Sequence, residues 1–134
     1  LAPGRDGRVI VVDASALLEL LLGADAAPPD PTAPLCAPAL IDVEVVSALR
    51  RLAHAGRIDD ATGTALIGAL ARAPVERFGH EPVLARVWTW GRDLSAYDAV
   101  YVAMAEAFDA ILWTADRRLA RRVEGRVRVA MVGA

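Results

Sequence analysis

At 134 residues the chain is long enough for one domain with a hydrophobic core and too short for two ordinary ones. Apolar residues make up 55 % and the formal net charge is only −2, which excludes intrinsic disorder and leaves any nucleic-acid contact to a local patch. All fifteen basic residues are Arg, so mechanisms that require a catalytic Lys are excluded.

A short β-branched run, Val9–Ile10–Val11–Val12, has no polar alternation and reads as a strand buried on both faces, the mark of a parallel sheet. Asp13–Ala14–Ser15 ends it, and residues 16–22 read as a helix stopped by Gly23. That apolar run is interrupted by Glu19 and is too short to cross a bilayer, and no signal peptide is apparent, so no membrane association is expected. Residues 24–34, rich in Pro, Ala and Asp, read as a loop, and Leu35–Cys36–Ala37 as a second strand. Cys36 stands alone and cannot close an internal disulfide, which suits a reducing cytoplasm.

Pro38 suits the first turn of a helix running to His54 or Ala55, with Gly56 as its stop and Ile41, Val45, Ala48, Leu49 and Leu52 as its buried stripe. Another helix opens at Asp59–Asp60, residues 75–78 read as a strand, 82–91 as helical, and 95–108 as a helix. Residues 110–113 form a strand, 117–123 a helix, and 127–132 a last strand. Strands alternating with helices predict a parallel sheet covered on both faces.

In such sheets chemistry gathers beyond the carboxyl ends of the strands. Asp13 directly follows the first strand, and Asp116 lies just past the strand that ends at Trp113. Asp98 sits in the first turn of the helix before that strand. Glu44 lies about 60° from Ile41 on a helical wheel, at the flank of the apolar stripe. Four carboxylates brought together either rise in pKa or hold a cation, and hard oxygen ligands suit Mg²⁺ or Mn²⁺. Each acid also has an ordinary reading. Asp13 or Ser15 caps the following helix, Ser95–Ala96–Tyr97–Asp98 resembles a capping box, Asp116 caps the helix at Arg117, and Glu44 is a solvated charge. On the residues alone both readings stand.

The segments around these acids carry a resemblance. Val11–Val12–Asp13–Ala14–Ser15–Ala16–Leu17, Ala37–Pro38–Ala39–Leu40–Ile41–Asp42–Val43–Glu44–Val45, Leu94–Ser95–Ala96–Tyr97–Asp98–Ala99–Val100–Tyr101–Val102–Ala103 and Leu112–Trp113–Thr114–Ala115–Asp116–Arg117–Arg118–Leu119 follow one another in order. Together they resemble PIN-domain ribonucleases of the VapC toxin type. The resemblance implies a single domain over residues 1–134, with a three-layer α/β/α fold around a central parallel sheet of four to five strands. It implies Mg²⁺- or Mn²⁺-dependent endoribonuclease activity, an RNA substrate, and a toxin neutralised by a cognate VapB-like antitoxin. Carried over residue by residue, Asp13, Glu44, Asp98 and Asp116 fall on the catalytic, metal-holding site, and Ser15 and Thr114 on its polar support. Trp113 stands where smaller aliphatic residues are more usual.

Arg117, Arg118, Arg121 and Arg122, followed by Arg126 and Arg128, crowd the C-terminal region against a single acid, Glu124. They read as an RNA-phosphate patch or as a solvated helix face. Arg50 and Arg51, about two turns beyond Glu44, read as solvated surface ahead of any phosphate or antitoxin contact. Trp88, Trp90 and Tyr97 read as core or interface packing ahead of base stacking. His54 and His80 fall in no nucleophile pattern. Leu17, Leu18, Leu20, Leu21 and Leu22 on one short helix exceed a single buried face, which predicts a homodimer.

Receiver-type phosphoacceptor chemistry needs a Lys that this chain lacks, and Asp13–Ala14–Ser15 lacks the second Asp of haloacid-dehalogenase-type phosphatases. No Gly-rich phosphate loop followed by Lys and no Gly-x-Gly-x-x-Gly occurs. The remaining rival is a catalytically inactive PIN-like module that binds RNA or protein. For the enzyme, metal-activated water attacks an RNA phosphodiester in line, with no covalent nucleophile.

Overall fold

A computed structural model describes residues 8–133; the N-terminal stretch read for a signal peptide lies outside them. Five strands run in parallel: β1 (Ile10–Val12), β2 (Leu35–Pro38), β3 (Val75–Phe78), β4 (Ile111–Thr114) and β5 (Val129–Met131). Their order is β3-β2-β1-β4-β5. The helices are α1 (Ala14–Leu21), α2 (Ile41–His54), α3 (Asp60–Arg72), α4 (Leu84–Trp90), α5 (Ala96–Ala107) and α6 (Arg117–Arg122), with a 3-10 turn at Glu81–Val83 before α4.

β1 occupies the centre because it can be buried on both sides. Ile10, Val11 and Val12 are almost wholly inaccessible, which requires helices over both faces of the sheet. α1, α2 and α3 pack on one another, α4 packs on α5, and α1 and α5 reach the strands. The expected three-layer α/β/α arrangement with a parallel sheet is the one found. β2 and β3 are added on one side of β1, and β4 and β5 on the other. The order therefore reverses between β1 and β4, which opens a crevice at their carboxyl ends.

One boundary differs from the sequence expectation. Pro38 closes β2 rather than opening α2. It pairs in register with Phe78 at the end of the β2–β3 ladder, and the next rung is the Ala39 N–H donating to the Phe78 carbonyl at 2.8 Å. A strand end tolerates the missing proline N–H, so α2 begins only at Ile41.

Trp113 is fully buried on β4, with the small Ala130 as its neighbour on β5. Arg77 ties β3 to two helices: its guanidinium donates to the carbonyls of Leu70, Ala73 and Val75 and to the Asp42 carboxylate. Of the leucines on α1, Leu17 is buried and Leu18, Leu20 and Leu21 pack against the core, while Leu22, the C-cap just past the helix, is exposed. The larger apolar exposures lie elsewhere, at Val43, Leu84, Trp88 and Tyr97. Of the three aromatics read as packing residues, Trp90 is buried, whereas Trp88 is 85 % and Tyr97 65 % exposed. No helix among the described residues is long and apolar enough to cross a membrane.

Candidate active site

The crevice at the reversal point holds all four acids. Asp13, Glu44, Asp98 and Asp116 line one cleft of ≈ 290 Å³ together with Ser15, Arg51 and Tyr101. Larger grooves exist on the surface, but their linings carry no comparable group of convergent carboxylates. Chemistry rather than volume distinguishes this one.

Asp13 enters the cleft because β1 ends beneath it and α1 begins at once. Its Oδ1 accepts from the Ala16 N–H at 2.9 Å, capping α1, and from the Ser15 hydroxyl at 2.6 Å. Its Oδ2 accepts from the Thr114 hydroxyl at the end of β4. Thr114 and Ser15 are cross-linked in turn. The Ala115 N–H donates to Ser15 Oγ at 2.9 Å, and the Asp116 N–H donates to Thr114 Oγ1 at 3.0 Å. Both predicted supporting hydroxyls thus join the first strand turn to the fourth. Asp13 is only 5 % exposed, and burial pushes its carboxyl above the ordinary range against the pull of these three donors.

Asp116 caps α6 with a single oxygen. Its Oδ1 accepts from the Arg118 and Leu119 N–H groups, and no partner is recorded for Oδ2 among the described residues. Asp116 thus both caps α6 and lines the cleft. The expected capping box at the start of α5 is formed in its first half: Ser95 is the N-cap, and its hydroxyl accepts from the Asp98 backbone N–H at 3.1 Å, while no return bond from the Asp98 carboxylate to the Ser95 N–H occurs among the described residues. Desolvation and the nearby Asp116 raise the Asp98 carboxyl, while Ser95 and Arg122 pull it down. Glu44 is raised chiefly by desolvation and further by Asp98 and Asp13.

Tyr101 is the partner that the sequence reading missed. Its hydroxyl donates to Glu44 Oε1 at 2.6 Å, bridging α5 to α2, and burial with this bond pushes the phenol well above its usual range. Tyr101 stands three residues after Asp98 and so on the same helix face, which is the signal that points to it. Arg51, seven residues and two turns after Glu44 and read from the sequence as solvated surface ahead of phosphate or antitoxin contact, also lines the cleft.

The cleft is short of compensating charge. None of the four acids takes part in a salt bridge among the described residues. Nor do three or more His, Cys, Asp or Glu side chains close into a ready cation cage among them. That donor set fits a hard divalent ion that keeps most of its waters and takes one or two carboxylates directly. Asp13 spends three of its roughly four acceptor positions on protein donors, which leaves one for an ion.

The predicted arginine patch divides. Arg117 and Arg121 line a separate groove of ≈ 740 Å³ with Glu19 and Ala115, beside the acidic cleft. Arg122 donates to the Asp93 carbonyl at 3.3 Å and its charge pulls the Asp98 carboxyl down, and Arg118 is exposed. Arg126 and Arg128 do not line the acidic cleft: Arg126 lies over the Trp90 ring, and Arg128 pairs with Asp109.

A model of the PIN domain matches residues 10–125. The chain belongs to the PIN-domain family. This PIN domain is 44 % identical over 112 residues to VapC ribonuclease Mb0985 of Mycobacterium bovis, covering 83 % of the chain and 88 % of that protein. It is 39 % identical over 125 residues to Ribonuclease VapC3 of Mycobacterium tuberculosis, covering 90 % and 91 %. Those similarities set it among the VapC ribonucleases. Among solved structures, PAE2754 from Pyrobaculum aerophilum superposes with a TM-score of 0.71 at 28 % identity, over 93 % of this chain and 92 % of that one. VapBC-5 of Mycobacterium tuberculosis, described as a member of a family of toxin–antitoxin systems, shares the fold at a TM-score of 0.56 and 20 % identity, over 94 % and 98 %.

Proposed function

We infer that this PIN domain is a divalent-metal-dependent endoribonuclease, the toxin half of a VapBC-type pair. The observation that carries the reading is the cleft itself: four carboxylates at the strand-order reversal, three of them raised in pKa, with no salt bridge to balance them among the described residues. Relatives named as ribonucleases support the same substrate.

Asp13 and Asp98 would be the principal holders of Mg²⁺ or Mn²⁺, with Glu44 and Asp116 nearby or acting through water. A divalent ion bound there supplies an activated water and charge stabilisation for phosphodiester cleavage. The chain's own side chains hold the frame. Ser15 and Thr114 fix the Asp13 carboxylate, Tyr101 fixes Glu44, and the α6 backbone fixes Asp116. Arg117, Arg118, Arg121 and Arg122 remain the RNA-phosphate contacts of the α6 side.

Covalent catalysis has no support. Cys36 is buried in β2 with its thiol pushed up to about 12, by burial first and Glu76 second. Ser15 Oγ already donates to Asp13 and accepts from Ala115, and neither His54 nor His80 lines the cleft. Loss of one acid would favour the inactive-module alternative, and all four are present, which favours the enzyme.

A VapB-like antitoxin is the proposed protein partner, with the exposed Val43, Leu84 and Trp88 available to a second chain, including a second copy in a homodimer. RNA cleavage by the purified protein should stop with EDTA and return with Mg²⁺ or Mn²⁺. Cleavage that persists in EDTA overturns the reading.

A further inference from the structure

We propose that Arg51, with Arg50 and His54, forms a phosphate-holding subsite on the outer face of α2 that receives the RNA backbone as it leaves the acidic cleft. The inference rests on the ribonuclease reading and assigns to α2 a substrate contact separate from the α6 arginines.

Arg51 lines two depressions at once. One is the acidic cleft, beside Asp13, Glu44, Asp98 and Asp116. The other is an adjoining groove of ≈ 420 Å³ formed by Ser47, Arg50, Arg51, His54 and Ala55. No acid lines that second groove. The acids of α2 are confined to its first turn, Asp42 and Glu44, while its C-terminal half presents Arg50, Arg51 and His54 to solvent.

Despite four carboxylates in the same cleft, Arg51 makes no salt bridge among the described residues. Its only recorded hydrogen bond runs from one terminal nitrogen to Ser47 Oγ at 3.1 Å. That bond steadies the guanidinium along the helix and leaves most of its five donors for an external acceptor. Arg50 makes no salt bridge either.

Charge supplies the reason for such a contact. A phosphodiester approaching an acidic cleft is repelled until a cation meets it, and a planar guanidinium matches two phosphate oxygens at once. A groove without acids, opening off the cleft through a shared arginine, gives a polyanion a continuous path. An apolar or zwitterionic ligand gains nothing from it.

The structural alternative is that Arg51 and His54 merely complement the C-terminal dipole of α2. That role predicts a lower melting temperature for Arg51→Ala and no change in RNA affinity.

The test is fluorescence anisotropy of a labelled twenty-nucleotide single-stranded RNA of mixed sequence, in EDTA, over a range of salt. The proteins are wild type, Arg51→Ala, Arg51→Lys, Arg50→Ala and, as a control of equal charge loss at the end of α3, Arg72→Ala. Arg51→Ala should weaken binding about tenfold and reduce the slope of log affinity against log salt by about 0.7, one phosphate contact on a single strand. Arg50→Ala should show a smaller loss of the same kind. Arg51→Lys should keep the slope, and Arg72→Ala should match wild type. If wild type binds RNA and Arg51→Ala binds equally well with the same slope, the subsite is wrong and the ribonuclease reading stands. If wild type neither binds nor cleaves RNA, both fall. A poly-glutamate peptide of matching length is titrated in parallel. Stronger Arg51-dependent binding of that peptide than of RNA would assign the face to an acidic protein and overturn the proposal.

Discussion

Asp98→Asn separates the two roles open to an acid at the start of α5. The cap belongs to Ser95, which accepts from the Asp98 backbone N–H, and that bond survives the substitution. What the amide gives up is the attraction of a first-turn charge for the helix N-terminus, about 0.3–1 kcal/mol. What it gains is relief from desolvation and from Asp116, which together hold the carboxyl above its ordinary range. The two effects are opposite in sign and offset one another. The metal-free variant should therefore melt within about 3 °C of wild type, the equivalent of roughly 1 kcal/mol in a chain of this size.

A divalent ion changes the comparison. A ligand that binds only the folded state adds about 2.7 kcal/mol at one hundred times its Kd, or about 8 °C here. Wild type should show that rise in Mg²⁺ or Mn²⁺, and Asp98→Asn should show little of it. RNA cleavage should fall by more than the roughly 10–100-fold that loss of a mere supporting partner costs. Thermal melting with and without the ion, and cleavage on the same preparations, read both quantities. Equal ion-induced shifts in the two proteins, or wild-type cleavage by Asp98→Asn, would refute the assignment.

Metal-free stability should also depend on pH in a defined direction. Asp98 has a raised folded-state pKa, so it stabilises the fold below its ordinary value of 3.8, and that contribution is lost as pH rises through the higher folded value. The melting temperature of Asp98→Asn relative to wild type should therefore climb as pH rises above the ordinary value of 3.8, and a flat or falling difference there contradicts the shift. Tyr101→Phe keeps the ring volume and removes the donor to Glu44. Because water can reach half-buried Glu44, the cost should be about 1 kcal/mol by urea denaturation, with cleavage reduced about tenfold; unchanged cleavage would deny Tyr101 a positioning role. Light scattering at micromolar concentration should report a homodimer, and a monomer alone counts against it.

The fold was legible where one physical signal dominated. β1 lies within the unbroken β-branched run Val9–Val12, and burial on both faces explains such a run, so its place inside the sheet follows from it. Gly23 and Gly56, both with positive φ, end their helices as read. Pro38 was misread because proline suits both a helix start and a strand end, and only pairing with Phe78 decides between them. The acids were nameable from the sequence, whereas their hydroxyl frame was only partly so. Ser15 and Thr114 fell within the motifs. Tyr101 reaches Glu44 across fifty-seven residues, a closeness that no local pattern contains. Arg51 was seen as two turns from Glu44 and set down as solvated. Its shared lining of two depressions is a property of the surface, not of the helix.

The strand order has a consequence for timing. β1 is flanked by β2 on one side and by β4 on the other, and Asp13 is held by a hydroxyl that follows it by 101 residues. A chain leaving the ribosome carries its first acid long before the threonine that orients it and the Asp116 that completes the group. At about 5–20 residues per second, that interval lasts roughly 5–20 s. During it the nascent chain holds every residue of β1 and no finished site, so cleavage begins only once the far side of the sheet has been made.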